Sequence, residues 1–261
     1  FFEASTRTAV SFELAAKRAG AHVISVSQAG SAIQKGESLI DTVVTLDCLG
    51  VDAIIIRHPA AGAAALAARH TSAAVINAGD GRGHHPTQAL LDVYALSTFL
   101  GSYDRLPGRR VAIVGDILHS RVARSVIPAF SAAGMEVALV APSTLLPSEP
   151  GIWGLPILGS VDDALDWGAD VLYALRLQKE RMAGAFIPAI SEYTRYYGVA
   201  KRHLEDGILV MHPGPVNRGV EISGDVVFSK SSLIPKQVSS GIAVRQAVLA
   251  LATGAIKRAA A

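Results

Sequence analysis

Short apolar segments alternate with longer amphipathic segments along most of this chain. The short runs are typical of buried strands, and they lie at residues 22–26, 53–56, 74–77, 110–115, 137–140, 171–175 and 208–212. Apolar residues at helical spacing lie at residues 10–17, 37–48, 60–68, 86–100, 120–134, 161–167, 185–197 and 241–252. This alternation predicts an α/β fold whose parallel sheets are covered by helices on both faces, with ligands at the carboxyl ends of the strands.

A turn-rich stretch at residues 101–109 interrupts the alternation, which then restarts. We therefore predict two doubly wound parallel-sheet domains, residues 1–100 and 101–237. The last helical segment is apolar on most sides, which predicts burial. We expect this C-terminal helix, residues 238–261, to return to the first domain and complete it.

Composition narrows the classes of function. The chain has 261 residues, of which 50% are hydrophobic and 18% charged, enough for domains with proper cores. A net charge of +2 and the absence of basic runs argue against nucleic-acid binding, and no apolar run reaches membrane-spanning length. The single Cys48 cannot form a disulfide within the chain, which fits a reducing, cytoplasmic setting. Its apolar helical surroundings predict a buried thiol.

Hydroxyl side chains and one arginine precede the first helical segment, at Ser5, Thr6, Arg7 and Thr8. Serine or threonine can cap the first backbone N–H groups of a helix. Those groups, the helix dipole and a guanidinium together favour an anion, most naturally a phosphate. From these residues alone, a capped surface helix is an equal alternative.

Further polar side chains follow predicted strands. Arg57 ends a run of isoleucines, and His85 and Gln88 lie three residues apart at a helix start, so both can face one ligand. A lone histidine there is more often structural, but Gln88 and the arginine at the strand end favour a role in ligand binding. In the second half, the stretch 114–121 superficially resembles a dinucleotide-binding loop but lacks its glycine pattern. Arg176 follows another strand, and prolines around Gly214 predict a rigid loop, in which a cis peptide is an option although trans is the default.

Together, these residues resemble the catalytic chains of aspartate carbamoyltransferases. The motifs that carry the resemblance occur in the family's order, at residues 5–8 (Ser-Thr-Arg-Thr), 57–59 (Arg-His-Pro), 85–88 (His-Pro-Thr-Gln), 176–178 (Arg-Leu-Gln) and 212–215 (His-Pro-Gly-Pro). The resemblance runs from end to end, apart from an N-terminal part that we expect to be missing here and a segment around residues 143–159 that we expect to be shorter than the family's.

The resemblance implies a role for each matching residue. The carbamoyl phosphate residues would be Ser5, Thr6, Arg7, Thr8, Arg57, His85, Gln88, Gly214 and Pro215. Among these, Arg57, His85 and Thr8 would be catalytic. The aspartate residues would be Arg121, Arg176, Gln178 and Lys35, the last in a loop with Ser31 that reaches into a neighbouring subunit's site.

The activity implied by the resemblance is transfer of the carbamoyl group to the amine of L-aspartate, the committed step of de novo pyrimidine biosynthesis. The family uses no metal and no cofactor. Its catalytic chains form a homotrimer with shared active sites, and regulatory or other pathway subunits are compatible with it. No activated nucleophile is recognisable in the sequence, which favours direct attack with electrostatic stabilisation over a covalent intermediate.

One residue departs from the family pattern, because Ala9 stands where the family usually has arginine. Two residues turn a helix by about 200°, so this side chain should point away from a phosphate held by Arg7. We interpret Ala9 as a change in structure or subunit packing. The alternatives are an ornithine carbamoyltransferase, a non-catalytic subunit of the same fold and, more distantly, a dehydrogenase-like nucleotide-binding module. Ornithine enzymes usually carry His-Cys-Leu-Pro where this chain has His212-Pro213-Gly214-Pro215.

Overall fold

The computed structural model describes residues 2–3, 5–26, 36–149, 153–178, 189–204 and 207–256. It divides into two compact units, Phe1–Thr87 with Ser239–Ala261, and Gln88–Val238. The helices are α1 (Thr6–Arg18), α2 (Leu39–Cys48), α3 (Ala63–Ala67), α4 (Pro86–Leu100), α5 (Arg121–Ala132), α6 (Val161–Asp166), α7 (Ile190–Tyr197), α8 (Gly224–Val227) and α9 (Ile234–Ala252). The strands are β1 (Ala53–His58), β2 (Ala74–Asp80), β3 (Arg110–Val114), β4 (Glu136–Val140), β5 (Ile157–Leu158), β6 (Val171–Ala174) and β7 (Leu209–Met211).

The first unit contains a parallel pair of strands, β1 and β2, with Ile54 opposite Val75. Its helices supply the apolar cover. Phe12 of α1 packs with Ile76 and Ala78 of β2, whereas Val43 of α2 belongs to a separate cluster with β1. Both strands therefore carry their apolar residues into cores and end in polar residues at the same edge.

The second unit contains a five-stranded parallel sheet in the order β5-β4-β3-β6-β7. Alternate residues along each strand enter different hydrophobic clusters: Val111 and Ile113 of β3 lie in one, and Ala112 and Val114 lie in the other. All five strands are parallel, and the order in which the chain adds them reverses between β3 and β6. Ligands of doubly wound sheets bind at such a point, beside the carboxyl ends of the strands. Val114 lies opposite Ala174, so these two strands end together.

The predicted α/β fold class with parallel sheets is confirmed. One predicted strand is wrong, however, because residues 22–26 are assigned to no strand. Ile24 is 84% exposed, so this β-branched segment is not part of a buried sheet. Strand preference is decided mainly by burial and by pairing with a neighbour, which a short sequence pattern does not reveal.

Several element boundaries and exposures also differ from the predictions. Strand β5 and helix α8 have too few residues to show a period, and α9 begins at Ile234, earlier than residue 241. This last helix is only partly buried, with Leu251 43% exposed. The predicted burial of the Cys48 thiol is wrong, since Cys48 is the last residue of α2 and is exposed. Residues 185–188 of the predicted seventh helix lie outside the described residues.

The division between the two units falls within α4, whereas the sequence placed a boundary at 101–109. The difference arises because Ala89 and Leu96 of α4 pack into the core of the second unit. Within the described ranges, none of the helices combines the length and apolar character needed to cross a membrane.

Candidate active site

The predicted phosphate-binding segment lies at the start of α1. Ser5 is the N-cap residue, and its side chain accepts no backbone N–H. Instead, its hydroxyl donates to Thr8 Oγ1 at 2.9 Å. Thr8 is buried while Thr6 and Arg7 are exposed. The first backbone N–H groups of a helix have no acceptor within the helix, so this hydroxyl-rich start retains the chemistry of an anion site.

Arg57 lies near the end of β1 and is 8% exposed. Its Nη1 donates to the carbonyl oxygen of Ala78 at 3.2 Å, and its Nη2 lies 3.3 Å from Glu3 Oε1. These partners come from β2 and from the segment that precedes α1. Two anchored nitrogens fix the plane of the guanidinium, which a flexible lysine would not do.

A buried carboxylate shapes the loop between β2 and His85. Asp80 accepts hydrogen bonds from Gly62 N at 2.6 Å, Asn77 Nδ2 at 3.0 Å and His84 N at 2.7 Å. Burial acts to raise the pKa of Asp80, but these hydrogen bonds outweigh it and leave the pKa below its usual value. The loop turns at Gly81, whose φ is +45°, and leads to the buried His85 immediately before α4.

Gln88 is the third residue of α4 and belongs to the second unit. Its Nε2 donates to Asp92 Oδ1 at 2.9 Å, and both side chains are buried. The i, i+4 spacing of the pair places both on one face of the helix. The amide of Gln88 is therefore oriented by a side chain of its own helix.

The ends of β3 and β6 are joined by Asp116, which is fully buried. Its Oδ1 accepts the backbone N–H of His119 at 3.1 Å and lies 2.8 Å from His119 Nδ1. Its Oδ2 accepts the backbone N–H of Gln178 at 3.1 Å. One carboxylate thus connects the loop that leads to Arg121, the first residue of α5, with the segment that carries Arg176. Arg121 is buried, and Arg176 and Gln178 are half-buried.

The rigid loop after β7 is built on His212. His212 Nδ1 accepts the backbone N–H of Gly214 at 2.7 Å, and His212 Nε2 lies 3.4 Å from Glu221 Oε1. A ring nitrogen that accepts carries no proton, so the imidazole proton lies on Nε2 and faces Glu221. The Gly214–Pro215 peptide bond is cis, the form that the sequence left as the less usual option.

The predicted site residues therefore fall into two groups. The first unit holds Ser5, Thr6, Arg7, Thr8, Arg57 and His85, and the second holds Gln88, Arg121, Arg176, Gln178, Gly214 and Pro215. In the second unit, the carboxyl ends of β3, β6 and β7 bring three of the predicted segments to one sheet edge. Ser31 and Lys35 lie outside the described residues.

Sequence reasoning missed the side chains that hold these residues in place. They are acidic or amide groups buried beside the predicted ones: Asp80, Asp92, Asp116, Glu221 and Gln237. A usable signal existed for Asp92, a charged residue four positions after Gln88 on the apolar side of a helix. Across the part of the chain that the structure describes, no three histidine, cysteine, aspartate or glutamate side chains are grouped to hold a metal ion.

Two family models match this chain and together span most of it. Residues 1–98 match the carbamoyl-P binding domain of aspartate/ornithine carbamoyltransferases. Residues 107–252 match the Asp/Orn binding domain of the same enzymes.

Proteins with similar sequences include several aspartate carbamoyltransferase catalytic subunits. The chain is 71% identical, over its full length and 86% of the relative, to the aspartate carbamoyltransferase catalytic subunit of Rubrobacter xylanophilus. It is 49% identical to that of Gemmatimonas aurantiaca over 97% of this chain and 79% of the relative.

Solved structures share the fold. The aspartate transcarbamoylase catalytic subunit of M. jannaschii has a TM-score of 0.78 and 38% identity over 95% of this chain and 81% of that one. An ornithine carbamoyltransferase from Pyrococcus furiosus has a TM-score of 0.82 at 28% identity, over 98% and 83% of the two chains. The chain therefore belongs to the family of aspartate carbamoyltransferase catalytic chains, within the aspartate/ornithine carbamoyltransferases.

Proposed function

We propose that this protein transfers the carbamoyl group of carbamoyl phosphate to the amine of L-aspartate, giving N-carbamoyl-L-aspartate and phosphate. The observation that carries the proposal is the placement of Arg121 and Arg176 after β3 and β6, the strands between which the sheet order reverses. Aspartate brings two carboxylates, and arginine is the side chain best suited to bind carboxylates in a fixed orientation. The 71% identity to an aspartate carbamoyltransferase catalytic subunit supports the same assignment.

Carbamoyl phosphate is the second substrate, and most of its residues lie in the first unit. The hydroxyls and backbone N–H groups at the start of α1, with Arg7, suit a phosphate. Arg57 and His85 are buried, where a positive or hydrogen-bonding group acts more strongly than in water. By the family resemblance, Gln88 and the loop of Gly214 and Pro215 are assigned to the carbamoyl NH₂.

The reaction is a direct transfer. The aspartate amine attacks the carbamoyl carbon, and negative charge grows on the carbamoyl oxygen before the bond from that carbon to the phosphate oxygen breaks. Arg57, His85 and Thr8 stabilise that charge, as the donors of an oxyanion hole do. The departing phosphate accepts the proton that the amine loses, so the reaction requires no protein base. Catalysis then consists of positioning and electrostatics.

The finer points of assembly and location also belong to this proposal. The chain forms a homotrimer in which Ser31 and Lys35 complete a neighbouring subunit's site, because a head-to-tail interface with closed cyclic symmetry is the simplest way to share residues. Its position is the committed step of pyrimidine biosynthesis, and the protein is cytoplasmic.

Ornithine is the competing acceptor, because the shared fold also serves an ornithine carbamoyltransferase. Ornithine carries one carboxylate and an extra cationic amine. It would leave one of Arg121 and Arg176 without its anion and place a like charge nearby, which lowers affinity. The retained Arg176-Leu177-Gln178 and His212-Pro213-Gly214-Pro215 sequences favour aspartate.

The experiment is a rate measurement with the purified chain, carbamoyl phosphate and aspartate, following carbamoyl aspartate and phosphate together. We expect equal amounts of both products. Phosphate release without carbamoyl aspartate would contradict the proposal. A mimic that joins a phosphonate to a dicarboxylate should bind far more tightly than either substrate, since it occupies both anion sites with one loss of translational freedom.

A further inference from the structure

A buried carboxylate in α4 lies behind the Gln88 amide. Asp92 has no exposed surface, and three side chains donate to it: Gln88 Nε2 at 2.9 Å, Gln237 Nε2 at 2.7 Å and Tyr173 OH at 2.6 Å. The two amides share Oδ1 and the hydroxyl uses Oδ2. These donors lie on α4, α9 and β6, and all three residues belong to the second unit.

The hydrogen bond to Asp92 fixes which end of the Gln88 amide faces a ligand. An ionised carboxylate only accepts hydrogen bonds, so the amide NH₂ must point toward Asp92 and the amide oxygen away from it. An outward oxygen is the group needed to accept a hydrogen bond from the NH₂ of a carbamoyl group. A flipped amide would present its own NH₂ to that NH₂, and both would be donors.

A second path leads from Asp92 to the loop after β7. Gln237 donates from Nε2 to Asp92, while its Oε1 accepts the backbone N–H of His212 at 2.9 Å. The same logic fixes the Gln237 amide, because its NH₂ is taken by the carboxylate. Asp92 therefore sets the orientation of both amides, and through Gln237 it anchors the first residue of the loop 212–215.

Tyr173 completes the environment of the carboxylate. Burial, and then the neighbouring Asp92 charge, raise the pKa of Tyr173 well above its usual value, so the hydroxyl keeps its proton and donates. Removing a carboxylate from water is expensive, and an apolar side chain of similar shape often serves stability as well or better. A contribution to stability therefore does not explain why Asp92 is buried, whereas its control of the side-chain geometry does.

We propose that Asp92 is a positioning residue for the carbamoyl group: it holds the oxygen of the Gln88 amide toward the substrate and, through Gln237, holds the loop of Gly214 and Pro215. This inference rests on the proposed function, since it assigns Gln88 and the loop to carbamoyl phosphate. It adds a charged residue that acts on the site through the two amides that donate to it.

The test uses Asp92→Leu, which removes every acceptor, and Asp92→Asn, which can keep an oxygen toward the amides. In Asp92→Asn the new NH₂ would face the Tyr173 oxygen, which can accept instead of donating. Val161→Ala is the matched stability control, because Val161 is buried in the other hydrophobic cluster of the second unit. Steady-state constants for carbamoyl phosphate and thermal unfolding are measured for each chain.

We expect Asp92→Leu to lower kcat/KM for carbamoyl phosphate by about 100-fold, the effect of a misplaced binding group. Asp92→Asn should regain at least about tenfold of that loss. In a Gln88→Ala background, Asp92→Leu should lower kcat/KM by less than about tenfold, because much of its effect passes through Gln88. Val161→Ala should change thermal stability without this loss of kcat/KM.

Three results would overturn the inference: equal losses from Asp92→Leu in both backgrounds, an Asp92→Asn chain no better than Asp92→Leu, or a comparable loss in Val161→Ala. Failure of the proposed function gives a different result. It would show as no carbamoyl aspartate from the unmodified chain, or as full activity in Gln88→Ala alone.

Discussion

At the scale of single residues, the proposed chemistry depends on two buried side chains of the first unit, Arg57 and His85. Replacing either with alanine should lower kcat by about 100-fold or more, as losing an oxyanion donor does. Arg57→Ala should also raise the KM for carbamoyl phosphate, because it removes an anion-binding group. Steady-state kinetics with both substrates varied would check this, and near-normal turnover in both variants would show that these are not the charge-stabilising residues.

Asp80 allows a prediction about pH. Its folded pKa lies below the usual value of 3.8, so its contribution to stability is complete above the unfolded pKa and is lost as pH falls through the folded pKa. Asp80→Asn should lower the free energy of unfolding by about 1–3 kcal/mol at pH 7, as losing hydrogen bonds to a charged group does. The difference from the unmodified chain should shrink as the pH falls below 3.8.

Urea unfolding at a series of pH values would measure this difference. Asp52→Asn is the control, because Asp52 is an exposed carboxylate of the same unit. A stability difference that stays constant from neutral to acid pH would mean that the Asp80 charge does not contribute through its hydrogen bonds.

The importance of a residue could be predicted where its neighbours in sequence marked it. Arg57 stands out because it ends a run of isoleucines, and His85 because it immediately precedes a helix. The partners of Asp92 did not stand out, since Gln237 lies 145 positions away in sequence. The predicted burial of Cys48 was wrong for a related reason: the sequence shows which residue types lie near a helix end but not which of them faces solvent.

At the scale of elements, the edge formed by β3 and β6 depends on Asp116. Asp116→Ala would release the loop before α5 and the backbone of Gln178 together, because both donate to its carboxylate. We expect kcat/KM for aspartate to fall by roughly 10- to 100-fold, since small displacements of binding groups have effects of that size. The KM for aspartate should rise more than that for carbamoyl phosphate.

Asp166→Ala, which removes an exposed carboxylate on α6, is the control for charge. If Asp116→Ala raised the two KM values equally, the carboxylate would be a general structural support rather than the link between the two aspartate-binding segments.

Helices of several turns and buried strands could be predicted from sequence. Helix α4, for example, begins and ends where its apolar pattern does. Those that failed depend on neighbours. The apolar run at 22–26 shows strand composition, yet Ile24 is 84% exposed. Strand β5 has two residues, Ile157 and Leu158, and exists because β4 offers an edge beside it. No local pattern reports the presence of such an edge.

At the scale of the whole molecule, the proposed trimer predicts complementation between inactive chains. Lys35→Ala and His85→Ala chains should each be nearly inactive alone, because each removes one residue from every shared site. Mixed trimers should recover part of the activity, since some sites would take both residues from unmodified copies. Mixing after mild dissociation, followed by activity measurement, would check this; an active monomer at high dilution would contradict the shared site.

The family could be identified from sequence because its motifs are short, polar and placed near the ends of helices and strands, where ligands bind. The two compact units divide inside α4, whereas the predicted boundary lies at residues 101–109. The first residues of α4 carry the site sequence and its later ones, such as Leu96, belong to the core of the second unit. The apolar pattern of a helix does not show which of two hydrophobic cores the helix packs against.

Acceptor choice is the central claim, and a competition experiment tests it most directly. The unmodified chain would be given carbamoyl phosphate with equal concentrations of aspartate and ornithine, and both products would be quantified by mass spectrometry. The ratio of initial rates then equals the ratio of the two kcat/KM values. We predict carbamoyl aspartate in at least about 100-fold excess, since one unpaired buried charge has an effect of that order. Citrulline formed at a comparable rate would contradict the assignment.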